Sequence, residues 1–162
     1  MKIGVVGAGS WGTALAITLS GKKHDVAIWD INKEHLAEIR ANNENVRYLP
    51  GIKFNDNLLA KDDLQEVIKG ADIVLFSAPA QHFRSALKSA LPFLDENQII
   101  VNVAKGIEQK TLLRMSEIAD EIAPNLKYVA LSGPSHAEEV GKGMPTTVAV
   151  ASKDFKLARA VQ

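Results

Sequence analysis

At 162 residues the chain has room for one domain with a substantial core, not for two complete ones. Lys plus Arg and Asp plus Glu both number 19, so the formal charge is zero, which excludes a general attraction to nucleic acid or an acidic membrane but leaves a local basic site open. The lack of cysteine excludes disulfides and thiolate metal sites and suits a reducing compartment, so a cytoplasmic location is the default expectation.

The first apolar run, "KIGVVG", reads as a buried strand, and it reaches glycine too soon to be a signal-peptide core. It continues into "AGSWGTALAITLS", which places Gly7, Gly9 and Gly12 in G-x-G-x-x-G spacing between a strand and a helix. In that context Gly7 permits a tight turn, Gly9 offers no side chain to block a pyrophosphate, and Gly12 lets the helix approach the sheet. The backbone N–H groups of Ser10 and Trp11 then face the phosphates at the positive end of the helix. A glycine turn without a ligand is the alternative. Trp11, Leu15 and Leu19 share one face of this helix and read as a packing stripe.

The second strand, "DVAIWD", ends at Asp30, close to the position where an acidic side chain accepts hydrogen bonds from an adenosine ribose. An aspartate there also repels a 2′-phosphate. With Ile31 and Asn32 following, NAD is favoured over NADP, while Lys33 keeps NADP open and a plain helix cap remains the other role for Asp30. The segment "NNENVRYLPGIKFNDNLLA" reads as a long connection turning at Pro50 and Gly51 and carrying at most a short strand.

Four further strands are predicted at "ADIVLFS", "QIIVNVA", "KYVALS" and "TTVAV", separated by helical spacing such as Leu112, Met115, Ala119 and Ile122. This alternation predicts a doubly wound, mostly parallel α/β sheet of the Rossmann dinucleotide-binding type. Ser152 is expected to cap a last helix with Asp154 in its first turn. That helix is abandoned at Gln162, so the expectation is one domain of a longer protein.

Ligands of open parallel sheets lie beyond the carboxyl ends of the strands. Three polar segments should converge there: "SAPAQHF", "AKGIEQK" and "SGPSHAEEV". Lys105 then stands at the mouth of a site, where a cation holds an anionic substrate or polarises a carbonyl, unless it is a solvated loop lysine. Ser135 sits where a helix N-terminus receives an anion, and an ordinary cap, with Glu138 and Glu139 in the first turns, is the slightly favoured alternative. His136 has no nucleophile and acid to pair with. His24, His35 and His82 have no metal-ligand spacing, so no metal site is expected.

"GAGSWGTALA", "YLPG", "NVAKGIE" and "SGPSHAEEV", in this order and spacing over essentially the whole chain, closely resemble the NAD(P)-dependent glycerol-3-phosphate dehydrogenases of bacteria. The resemblance implies reversible reduction of dihydroxyacetone phosphate to sn-glycerol 3-phosphate, the precursor of the phospholipid backbone. By motif, Ser10 and Trp11 would contact the cofactor pyrophosphate and Lys105 would touch both cofactor and substrate. Gly133 and Ser135 would lie on the substrate side, with Ala137 by the nicotinamide end. Members that prefer NADP often carry a basic residue just after the second strand, a pattern from which Ile31 departs.

The resemblance further implies a dinucleotide-binding domain over 1–151, a further helix starting at 152–162, and a C-terminal helical substrate domain beyond the chain. That domain carries the proton-transferring lysine and the arginine that grips the phosphate, so no catalytic residue is expected in this chain. Weak NADH binding with little or no turnover is the expectation. A homodimer of the full-length enzyme is left open. The rival readings are a related reductase of a small oxo acid and a non-catalytic dinucleotide sensor. The second lacks the basic stripe or recognition helix that a DNA-binding sensor carries.

Overall fold

The computed structural model describes residues 1–162. A single seven-stranded sheet runs in the order β3-β2-β1-β4-β5-β6-β7, formed by β1 (Lys2–Val6), β2 (Asp25–Trp29), β3 (Leu58–Ala60), β4 (Ile73–Phe76), β5 (Ile99–Asn102), β6 (Lys127–Ser132) and β7 (Ala149–Ala151). All neighbours pair parallel except β6 and β7, which are antiparallel. The order reverses between β1 and β4, which opens a crevice at the carboxyl ends of those strands.

Alternation along each strand splits the core into two layers. Ile3, Val5, Val26, Ile28, Ile73, Leu75, Val101 and Val129 point to one face, where α1 (Ser10–Gly21), α2 (Lys33–Asn42) and α6 (Ala137–Gly141) cover them through Ala14, Ile17, Ile39 and Val140. Val6, Val74, Phe76 and Ile100 point to the other, under α3 (Leu64–Ile68), α4 (Ala80–Ala90) and α5 (Met115–Ile122). Because both faces are covered, the central strands read as unbroken apolar runs rather than as alternating ones. The last helix, α7 (Phe155–Val161), lays Leu157 and Val161 against the first layer.

Three sequence expectations are corrected in detail. The stripe through Leu112 breaks, because Leu112 adopts φ 59° in a turn and is 70% exposed, while α5 starts only at Met115 and buries Met115, Ile118 and Ala119. In α1 the stripe of Trp11, Leu15 and Leu19 does pack half-buried against the core, beside the deeper Thr13, Ala14, Ala16, Ile17 and Ser20. The final strand sits at Ala149–Ala151, past most of "TTVAV", and reverses direction. Asp154, not Ser152, caps α7 by accepting from the Lys156 N–H at 2.8 Å, because the Ser152 hydroxyl donates to the Tyr128 carbonyl at 2.8 Å instead.

Candidate functional site

The loop between β1 and α1 is fixed by bonds to the end of β2. The Gly7 N–H donates to the Trp29 carbonyl and the Ala8 N–H to Asp30 Oδ2, both at 2.8 Å. Gly7 takes φ 112°, a region open to glycine and strained for other residues. Gly12 faces a tighter limit, since a Cβ there would stand 2.2 Å from the Gly7 carbonyl oxygen and 2.9 Å from Ser77 Cβ. At Gly9 a Cβ would meet nothing within 4 Å, so this face of the loop is open. The first helical bond of α1 is Thr13 N–H to the Gly9 carbonyl, which leaves the N–H groups of Ser10, Trp11 and Gly12 without intrahelical acceptors at the positive end of the helix.

Asp30 does not cap α2. Asn32 does, accepting from the His35 N–H at 3.0 Å, while Asp30 Oδ1 accepts from the Asn32 N–H at 3.0 Å. Each Asp30 oxygen keeps acceptor capacity toward the cleft that the residue lines.

On the far side, the segment after β5 carries Lys105, whose Nζ donates to the Gly133 carbonyl at 2.8 Å and so ties this loop to the one after β6. The Lys105 loop is itself clamped to α4. Gln81 donates to the Ile107 carbonyl at 2.9 Å and accepts from the Gln109 N–H at 2.9 Å, and Arg84 makes a two-pronged pair with Glu108 at 2.8 and 2.9 Å. The Arg84 guanidinium, helped by the Thr111 hydroxyl, holds the Glu108 carboxyl at about 2, well below its ordinary 4.5. Ser135 does not cap α6. The N-cap is His136, with no side-chain bond, and the Ser135 hydroxyl faces the Gly133 carbonyl at 3.5 Å; Glu138 and Glu139 occupy the first turn.

These loops enclose one cleft of about 1020 Å³. Its lining brings together Gly7, Gly9, Ser10, Trp11, Asp30, Lys105, Ser135 and Ala137. Gly12 lies beneath the loop rather than on the wall. Gly133 also stands behind the wall, where a Cβ would be 3.0 Å from the Thr147 carbonyl oxygen, and it contributes its own carbonyl to Lys105. Ser77 and Pro79 of the expected "SAPAQHF" segment also line the cleft, joined by two residues that the sequence did not place there, His35 and Tyr48, while the buried Asn45 stands behind the wall against His35. One signal pointed to His35, which precedes Ile39 by one helical turn and therefore shares its buried face.

The sequence profile described as "NAD-dependent glycerol-3-phosphate dehydrogenase N-terminus" matches residues 2–158. The chain belongs to this family. The glycerol-3-phosphate dehydrogenase [NAD(P)+] of Bacillus velezensis is 44% identical over 164 aligned residues, covering 99% of this chain and 48% of that protein. The corresponding protein of Citrifermentans bemidjiense is 46% identical, with 99% and 49% covered. Among solved structures, the glycerol-3-phosphate dehydrogenase of Coxiella burnetii superposes with a TM-score of 0.89 at 33% identity, over 98% of this chain and 49% of that one. The chain thus spans about half the length of the glycerol-3-phosphate dehydrogenases it matches. No helix is long and apolar enough to cross a membrane.

Proposed function

We propose that this chain is the cofactor-binding half of an sn-glycerol-3-phosphate dehydrogenase, holding NAD(H) in the cleft between the glycine loop and Lys105. The observation that carries the reading is the open face at Gly9 above unpaired helix N–H groups, continuous through one cleft with Lys105 and Ser135. A diphosphate fits that cradle by charge and by space. Asp30, with acceptor capacity left on both oxygens, accepts from the ribose hydroxyls and disfavours a 2′-phosphate, so NAD is the preferred cofactor and NADP the lesser one. Ala137, on the wall by the loop after β6, stands toward the nicotinamide end.

When bound, the reduced nicotinamide supplies the hydride that turns the ketone of dihydroxyacetone phosphate into the secondary alcohol of sn-glycerol 3-phosphate. The chain's own residues orient that encounter. Lys105 presents a fixed cation to cofactor and substrate, because Gln81, Arg84 and Gly133 hold its loop and its ammonium group. Gly133 and Ser135 form the substrate-side wall with it. The alkoxide produced by hydride addition requires a proton, and the substrate phosphate a bidentate partner. In this reading both come from a helical domain that follows the dinucleotide-binding domain of residues 1–151. The reading extends to a cytoplasmic enzyme that supplies glycerophospholipid synthesis.

Titrating the chain with NADH while assaying dihydroxyacetone phosphate reduction tests both parts. Saturable but weak NADH binding with little or no turnover is expected. Absence of NADH binding overturns the cofactor role, and turnover at the rate of a complete dehydrogenase overturns the need for a second domain.

A further inference from the structure

The connection between α2 and β3 contains a fully buried amide, Asn45, whose hydrogen-bonding groups are all committed. Its Nδ2 donates to the Ala8 carbonyl and to Thr13 Oγ1, both at 2.8 Å. Its Oδ1 accepts from the Tyr48 N–H at 3.1 Å and lies 3.0 Å from His35 Nε2. Turning the amide over would set its NH2 against the Tyr48 N–H and its oxygen against the Ala8 carbonyl, so one orientation is selected and the His35 proton sits on Nε2. His35 and Thr13 are as buried as Asn45, and the edge of one ring meets the face of the other where His35 packs on Tyr48 at 5.0 Å.

The residue gripped in this way is Ala8, at the centre of the glycine loop. Asp30 holds its N–H and Asn45 its carbonyl, so the residue is pinned at both ends, by β2 on one side and by the distant connection on the other. Thr13, one turn into α1, is tied to the same amide and also reaches the Ala8 carbonyl at 3.4 Å. The directions of the Ser10 and Trp11 N–H groups follow from the positions of Ala8 and Thr13 on either side of them. Resting on the cofactor reading above, we propose that Asn45, braced by His35, is a positioning residue for NAD(H): it pre-sets the glycine loop, so that binding a diphosphate does not have to order it.

The test uses Asn45→Asp, Thr13→Val and Thr13→Ser, each measured by NADH fluorescence titration, thermal unfolding and amide hydrogen exchange. Asn45→Asp sets a carboxylate against the Ala8 carbonyl and is expected to weaken NADH binding at least about tenfold, the scale of freeing one ordered backbone residue. Exchange at Gly7, Ala8 and Thr13, the N–H groups bonded in the folded loop, should accelerate while Val74 and Ile100 in the sheet keep their protection. Thr13→Val, which removes the hydroxyl acceptor, should do the same to a smaller degree, and Thr13→Ser, which keeps it, should restore wild-type behaviour. Unchanged loop exchange and NADH affinity in Thr13→Val overturns the proposal. So does a uniform loss of protection across the sheet without rescue by serine, which marks a merely structural role. If Asn45→Asp does not fold, the Thr13 pair decides alone. A wild-type chain that binds no NADH overturns the cofactor reading instead, and the exchange comparison still decides whether Asn45 orders the loop.

Discussion

Alanine at Gly9 and alanine at Gly12 are chemically the same change in one loop, and the structure assigns them opposite consequences. At Gly9 the added methyl meets nothing within 4 Å, and φ is −68°, ordinary for alanine. Restricting the unfolded chain stabilises by roughly 0.4–1 kcal/mol, while alanine is a poorer helix N-cap than glycine by a similar amount, so folding stability stays within about 1 kcal/mol of wild type. The same methyl stands over the unpaired N–H groups where a diphosphate would lie, and NADH affinity should fall at least about tenfold, or about 1.4 kcal/mol. At Gly12 the methyl would come within 2.2 Å of a backbone oxygen and 2.9 Å of the Ser77 side chain. Helix α1 must then lift from the loop, at a cost of about 1–3 kcal/mol or more. Urea unfolding and NADH titration of both variants check the pair. Wild-type NADH affinity in Gly9→Ala, or equal destabilisation by the two changes, would refute the reasoning.

Three further outcomes are expected. Glu108 is held at about 2 in the folded protein against 4.5 ordinarily, chiefly by Arg84 and then by Thr111. Its folded value lies below its unfolded one, so this stabilisation is complete above about pH 4.5 and is lost as pH falls toward 2. Thermal melts across that window should therefore fall more steeply for wild type than for Glu108→Gln, and parallel curves would contradict the assignment. Asp30→Asn removes the charge that disfavours a 2′-phosphate, so the ratio of NADH to NADPH affinity should drop. An unchanged ratio in parallel titrations would remove Asp30 from cofactor selection. Phe83, fully buried on the inner face of α4 and edge-to-face with Phe76 at 5.8 Å, should cost about 3–5 kcal/mol of stability when replaced by alanine, measured by urea unfolding.

The fold was legible because its signals are local. The apolar runs, their spacing and the glycine loop each lie within a few consecutive residues, and together they specify a parallel sheet with helices on both faces. The expectations that fail do so where a side chain has two partners to choose from or where the backbone leaves the helical region. Ser152 looks like a cap in sequence, yet its hydroxyl finds the Tyr128 carbonyl across the sheet, and Asp154 takes the cap. Leu112 falls on the stripe of α5 by number, but its left-handed backbone ends that periodicity before the helix begins. The cap, the alternative role for Asp30 and the slightly favoured one for Ser135, falls to neither, since Asn32 and the His136 position start those helices.

Which residues line the site was partly written in the motifs. What holds them there was not. The glycine spacing, Lys105 and the Gly-Pro-Ser segment follow from the order of residues, because each is a strand end and all strand ends of a parallel sheet share one side. Asn45 on Ala8, Arg84 and Gln81 on the Lys105 loop, and Lys105 on Gly133 join residues far apart in the chain. Such bonds depend on which buried polar group lacks a partner once the layers have packed. Sequence alone determined the α/β architecture and the chemistry available at its carboxyl edge. Only the tertiary structure decided which polar side chains face solvent or ligand and which are used up inside, because an amide or a histidine in a loop reads the same in either role until its neighbours close around it.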